Sequence, residues 1–478
     1  MKTNNIKNNL LYNALYQLLL IILPLVTAPY VSRALGATSL GIYTYMNSVA
    51  YYFSLIAMLG IANYGNRVIA SVREDREKLN YSFSSVFSLQ VFTYIIAVMA
   101  YILYVVVFLE ENKAVAAIHT IYVFSGMVDI SWLYFGLECF KTTVFRNAVI
   151  KVLTAACIFL FVDCPADLWK YSLIMVLGQI LSQLSLWIGI RKFVSFIVVP
   201  VKEVLGHFKP AIILFIPVLA FSLYKVMDKL MLGNMSTFEQ VGLYANAEKL
   251  VGIPISLITA LGTVMMPRVT NCIFNNEMEK VGTYLDISSK IVIVVAVASG
   301  FGLFAISDVV AVTFFGEEFA SCAELIRLLA VVPFFVGLAN VIRTQYLIPH
   351  HCDRVYVIST IVGAVLNLIV NLVLIGKLHA VGAAIGTIIA EASVLLVQLY
   401  YVRACVPIHK TLWEYKSVFL VGLMMMGIVR CVGQTLDMSV GGLVIQVLAG
   451  ALFFCVGLII VLVSKKDSLW CFLRDEIN

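Results

Sequence analysis

Charge is what this sequence has least of. Of its 478 residues only 13% are Asp, Glu, Lys or Arg, against 62% hydrophobic, and the mean hydropathy is +0.97. A soluble chain of this length needs far more polar surface, so a soluble globular protein is excluded and a polytopic membrane protein is left. Other absences narrow the class further. There is no G-x-x-x-x-G-K-[ST] loop, so the chain does not itself hydrolyse ATP at a phosphate loop. The ten cysteines are scattered from Cys139 to Cys471 with no C-x-x-C pair, which reads as small apolar residues rather than a metal or disulfide framework. His350 and His351 lie beside Asp353 with no third ligand at metal spacing, so no metal site and no cofactor are expected. No Ser/His/Asp order stands out, and no large loop carries the acids and arginines expected of a membrane glycosyltransferase. No nucleic-acid partner is expected either. The N-terminal stretch MKTNNIKNNLLYN is polar and weakly basic, and no A-x-A site follows it, so the first apolar run reads as a span rather than a cleaved signal.

Apolar runs are what is there. A spanning helix needs about 20 mostly apolar residues, and fourteen runs qualify, near 10–31, 40–64, 83–109, 114–137, 145–163, 170–190, 210–232, 241–266, 287–307, 323–347, 355–376, 380–402, 416–434 and 440–463. With the N-terminus inside, the outer loops hold only Arg33, Lys113, Lys170 and Lys377, while most of the 33 Lys and Arg fall on the inner side. The positive-inside rule then places both termini in the cytoplasm. The chain also repeats. LGIY opens the second span and VGLY the eighth, and an arginine follows each glycine by 26 residues, at Arg67 and Arg268. Pro24 and Pro217 sit alike in the preceding spans, and the 12-residue interval from Gln179 to Arg191 recurs from Glu391 to Arg403. The fold class is therefore all-α, with two six-helix lobes in parallel pseudo-repeat, residues 1–209 and 210–410, followed by two further helices and a tail, 411–478. Parallel repeats about an axis along the membrane normal are a transporter architecture.

Charges inside spans point to function. In SLYKVMDKLML (222–232), Lys225, Asp228 and Lys229 stand at i, i+3 and i+4 and so share one helical face. Each costs about 2.5–3.5 kcal/mol at a bilayer centre. A structural ion pair explains Asp228 and one lysine but leaves the other over. Glu248, Lys249 and Arg327 recur in later spans, and Arg33 closes the first. Acids are fewer, with Asp129, Asp228, Glu248 and Glu391 the main ones. A surplus of buried cations implies a hydrated cavity and an anionic cargo. Pro24, Pro29, Pro217, Pro254 and Pro333 allow bends or simple packing kinks. Gly382–Gly386 (GAAIG) reads as a close-packing face, and Asn367 with Asn371 as a hydrogen bond between helices rather than a cargo contact.

Four stretches carry a resemblance: PYVSRALGATSLGIYTYMNS (29–48), DISWLYFGLECFKTTVFRN (129–147), MDKLMLGNMSTFEQVGLYANAEKL (227–250) and LGTVMMPRVT (261–270). Over essentially its whole length the chain resembles the Wzx-type polysaccharide flippases, transporters of O-antigen and capsule repeat units within the multidrug/oligosaccharidyl-lipid/polysaccharide exporter superfamily. The resemblance implies two lobes around a cavity that opens alternately to each side of a bacterial cytoplasmic membrane. It implies as cargo an undecaprenyl-diphosphate-linked oligosaccharide, with membrane lipids, a polysaccharide polymerase and a chain-length regulator as companions. On that basis Arg33, Lys225, Lys229 and Arg327 are the expected contacts of the diphosphate or of acidic sugars. Asp228, Glu248 and Glu391 would tune those charges or bind a coupling H⁺ or Na⁺. Aromatics such as Trp132 and Tyr224 could stack on sugars, but for any single one packing is the expected role. Two relatives in the superfamily stay open, a peptidoglycan lipid-intermediate flippase and a multidrug or cation antiporter, and so does a membrane scaffold of a glycan-assembly complex that transports nothing. The antiporter calls for an acidic cavity, and the scaffold needs no buried charge.

Overall fold

The computed structural model describes the backbone of residues 4–403, 405–406, 408–465 and 469–470, and their side chains except at 4–21, 140–145, 217 and 224. Every regular element among them is helical, as a bilayer demands, since a helix satisfies its own backbone polar groups. Among the described residues, ten helical stretches are long and apolar enough to span a membrane. Four of these, Ile22–Val72, Lys113–Gly136, Cys322–Leu347 and Asp353–Val402, contain a break, so the fourteen apolar runs do not map one to one onto unbroken helices. The chain divides into two compact units, Met1–Gly233 and Asn234–Asn478.

The first unit opens with α1 (Asn4–Met58), which carries Pro24 and Pro29 and is broken at Gly36, where φ is 73° and ψ 172°. Only glycine adopts this backbone without strain, so the break falls between the first two apolar runs, 10–31 and 40–64. Next come α2 (Ile61–Val72) and α3 (Arg76–Leu103). Asp75 starts α3 by accepting from the amides of Glu77 and Lys78, satisfying two donors that the first turn leaves open. The fourth apolar run is interrupted, giving α4 (Lys113–Met127) and a short α5 (Ser131–Gly136). Gln90 of α3 closes the interruption. Its Nε2 donates to the carbonyls of Gly126 (2.8 Å) and Asp129 (2.8 Å), and its Oε1 accepts from Trp132 Nε1 at 2.9 Å. Then follow α6 (Phe140–Phe161), α7 (Leu168–Ser185), α8 (Val201–Gly206) and α9 (Phe208–Met235). The core of this unit gathers Phe83, Ile130, Trp132, Tyr134 and Leu186, all at 1% exposure or less.

The second unit begins with α10 (Phe238–Phe274), capped by the Thr237 hydroxyl accepting from the Gln240 amide, and α11 (Met278–Val310). Two short helices, α12 (Cys322–Leu329) and α13 (Val332–Ile342), make the next crossing, with Pro333 in the first turn of α13, where a proline costs no hydrogen bond. The long α14 (Asp353–Val402) is broken at His379, which has φ 50° and ψ −128°. Its Nδ1 shares a hydrogen bond of 2.9 Å with Ser236 Oγ, and Gln240 Oε1 accepts from the adjoining Ala380 amide. The two halves of α14 pack closely. A Cβ on Gly382 would fall 2.7 Å from the backbone of Leu374, and one on Gly386 would fall 2.1 Å from Asn371 Oδ1, so GAAIG is a close-packing face as its composition predicts. The chain ends with α15 (Ile408–Glu414), α16 (Lys416–Gln434) and α17 (Val440–Lys465).

Candidate functional site

In the first unit the charged stripe lies on α9, and that helix turns it inward. Ser222 (1% exposed), Asp228 (3%) and Leu232 (0%) are buried, with Lys225 and Lys229 half-buried beside them. The neighbouring helix is α1. Tyr52 donates to the Ser222 carbonyl at 3.1 Å, the Asp228 charge acts on the Tyr52 phenol, and Gly233 lies against the Tyr45 ring. All three stripe residues are engaged in interactions. The i, i+3, i+4 spacing thus sets one acid and two bases on one face of α9, with the acid buried, where burial without a partner would cost several kcal/mol. Arg33 also belongs to this unit. It is exposed, one turn before the break at Gly36.

The second unit holds the other candidates. Glu248 is half-buried on α10, and Lys249 next to it is exposed and donates to Asn246 Oδ1 at 3.3 Å. Glu391 is 3% exposed on α14, one turn beyond Thr387, whose hydroxyl pairs with that of Tyr244 at 2.7 Å. Arg327 on α12 reaches α11, where its Nε donates to Ser307 Oγ at 2.8 Å and its guanidinium pairs with Asp308. Sequence reasoning overlooked Asp308. An acid at the end of an apolar run, directly after a serine, was the available signal.

The aromatic and amide candidates serve packing. Trp132 is fully buried and hydrogen-bonded to Gln90, so it is closed to sugar and serves the latch between α3, α4 and α5. Asn367 and Asn371 bond to each other, Asn371 Nδ2 donating to Asn367 Oδ1 at 3.2 Å. Their face meets Gly386, so the pair belongs to the packing of α14. Asp129 also has a local task, accepting from the Ser131 amide at 2.9 Å to start α5. The Tyr224 side chain lies outside the described residues.

Long apolar helices that carry buried charges define the class as a multi-pass membrane transporter. The family model of the polysaccharide biosynthesis proteins matches residues 6–272, and that of the lipid II flippase MurJ matches residues 148–451, each more than half of the chain. The chain belongs to the polysaccharide biosynthesis protein family, within the multidrug/oligosaccharidyl-lipid/polysaccharide exporter superfamily. A protein of Escherichia coli (strain K12) named "Putative O-antigen transporter" is 21% identical over 84% of this chain and 98% of its own length. Among solved structures, lipid II flippase MurJ in an inward closed conformation matches with a TM-score of 0.79 at 16% identity, covering 96% of this chain and 99% of that one. An inward-facing multidrug MATE transporter matches at 0.59 and 16%, covering 83% and 95%. Both likenesses are of fold. Together with the family they make this protein a polysaccharide-related, lipid-linked flippase rather than an enzyme.

Proposed function

We propose that this protein moves undecaprenyl-diphosphate-linked oligosaccharide repeat units from the inner to the outer leaflet of a bacterial cytoplasmic membrane, by alternating access and for surface-polysaccharide assembly, with both its termini in the cytoplasm. The observation that carries the reading is the stripe of Lys225, Asp228 and Lys229 on the inward side of α9. The cargo's diphosphate is anionic and its sugars are strongly hydrated, so neither crosses hydrocarbon unaided. Paired lysines tuned by one acid replace the hydration of the diphosphate, and Arg33 adds a planar fork suited to phosphate oxygens. The multidrug antiporter reading fits less well, because bases outnumber acids in the stripe. The match to the MurJ family model supports the peptidoglycan intermediate as a second cargo, which shares the diphosphate and differs in its sugars.

The test is reconstitution. Purified protein in liposomes loaded with lipid-linked repeat units should make the sugars of one leaflet accessible to an impermeant oxidant from the other, faster than empty liposomes do. A preparation that flips only the peptidoglycan intermediate would shift the assignment to that cargo. One that flips neither, while remaining folded, would refute flippase activity.

A further inference from the structure

The second unit contains a built pocket that the transport reading leaves unused. Where α11 ends and α17 begins, a cavity of 620 Å³ is lined by Asp308, Arg327, Arg430, Gln434 and Gln446 among others. A second cavity, of 510 Å³, runs beside it between α11, α12, α13 and α16 and is walled by Phe301, Phe304, Phe334, Phe335 and Phe419. Arg327 lines both. Arg430 lies over the ring of Phe304, 5.1 Å from its centroid, so a cation of the polar cavity rests on an aromatic wall of the apolar one.

The polar cavity is not electrically balanced. Asp308 is committed to Arg327, and among the described residues Arg430 makes no ion pair, so the cavity carries one positive charge over. Gln446 of α17 is 1% exposed, yet its Nε2 has no hydrogen-bond partner among the described residues. A buried donor without an acceptor costs about 1–3 kcal/mol, and an acceptor placed in the cavity would remove that cost. Both the leftover charge and the leftover donor ask for an anion with acceptor oxygens. The phenylalanine-walled cavity alongside asks for hydrocarbon.

We propose that the two cavities form one binding site for a lipid phosphate, its phosphate oxygens held by Arg430, Arg327 and Gln446 Nε2 and its chain laid along Phe301, Phe304, Phe334 and Phe419. The site uses none of the α9 stripe's residues, and it does not depend on what the protein transports. With the termini cytoplasmic, it faces the outer leaflet. Two sources share this chemistry: an anionic phospholipid of the surrounding bilayer and a polyprenyl phosphate carrier.

The experiment titrates the purified full-length protein, in neutral detergent, with phosphatidylglycerol, undecaprenyl phosphate, phosphatidylcholine and glycerol phosphate. It reads the thermal midpoint and the ligand retained in native mass spectra. Saturable binding of phosphatidylglycerol assigns the site to bilayer lipid, and binding of undecaprenyl phosphate with phosphatidylglycerol silent assigns it to the carrier. In either case Arg430→Ala should weaken binding about tenfold. Gln446→Met should weaken it less while keeping the side-chain volume, and Arg430→Lys should retain part of the affinity. Arg430 is exposed, so its replacement leaves the packing intact. Phosphatidylcholine binding as well as phosphatidylglycerol and undecaprenyl phosphate, glycerol phosphate binding as tightly as the lipids, or Arg430→Ala leaving the affinity unchanged would each overturn the proposal.

Discussion

Gln90 illustrates what one polar side chain does inside a helical membrane protein. Its amide satisfies carbonyls freed where α4 gives way to α5 and also accepts from Trp132. No water competes for those groups at this depth. Gln90→Leu should therefore leave an indole donor and at least two carbonyls unmatched, lowering stability by about 2–4 kcal/mol, visible as a lower thermal midpoint in detergent. Gln90→Glu should fall between, because a carboxyl keeps the acceptor and loses the amide donors. Arg33 is a different case, exposed and ahead of a backbone break. If its fork meets phosphate, Arg33→Lys should slow glycan export severalfold, and Arg33→Ala should slow it by about tenfold or more at unchanged protein level. Normal export by both variants would reduce Arg33 to an anchor at the headgroups.

Individual helices show where sequence suffices and where it does not. The break in α1 was legible, because PYVSRALG offers a glycine at the place where the chain must leave helical geometry. The break in α14 was legible in position, because one apolar run ends at 376 and the next begins at 380 around Lys377, but not in how it is held, because histidine has no such signature. It is held by Ser236 and Gln240 from the connection and helix that precede it by more than a hundred residues. The stripe on α9 was readable as a shared face, because helical period alone aligns i, i+3 and i+4. The Arg327–Asp308 pair was not, since it joins two helices whose facing sides periodicity leaves unspecified. Trp132 packs in the core as the base expectation for such an aromatic has it, but its hydrogen bond to Gln90 was not legible, since nothing in an apolar run marks which polar side chain will face it. For α9 the expected outcome is concrete. Single cysteines at 225 and 229, in a chain stripped of its native cysteines, should react with an impermeant thiol reagent, and added cargo should protect them. Both sites unreactive under every condition would return the stripe to a structural ion pair. Asp228→Asn should lower protein level if the acid chiefly pairs the lysines, and lower export alone if it carries a coupling ion.

At the scale of the whole molecule the open quantity is the source of directionality. With no phosphate loop in the sequence, we expect it from an ion gradient, the membrane potential or downstream consumption of the cargo. One elementary charge moved through 100 mV is worth about 2.3 kcal/mol, enough to bias cargo strongly toward one leaflet. Asp228, Glu248 and Glu391 are the candidate carriers. Vesicle transport should slow when both ion gradients and the potential are collapsed, and Glu391→Gln should lose that sensitivity if this buried acid is the carrier. Transport indifferent to all three would leave consumption of the cargo as the driver.

The hairpin of α10 and α11 has a dimension that matters outside the bilayer. At 37 and 33 residues, these helices are about 55 and 50 Å long at 1.5 Å per residue, against a hydrocarbon thickness of about 30 Å. Residues 267–274 and 278–286 continue past the apolar stretch and bring the turn at 275–277 about 12 Å beyond the hydrocarbon edge. That clears the roughly 6 Å headgroup layer. Phe274, 85% exposed, stands near the tip of this stalk, with Lys280 and Glu277 paired beside it at 3.0 Å. The flanks of the hairpin are packed, with Val269, Val281 and Leu285 in the core of the unit and Asp286 accepting from Thr411 of α15, so on this length only its tip is expected in reach of soluble proteases. A protease site inserted at 275–277 should be cut in inverted membrane vesicles and spared in intact cells if this end is cytoplasmic, and the reverse pattern would invert the topology of the entire chain.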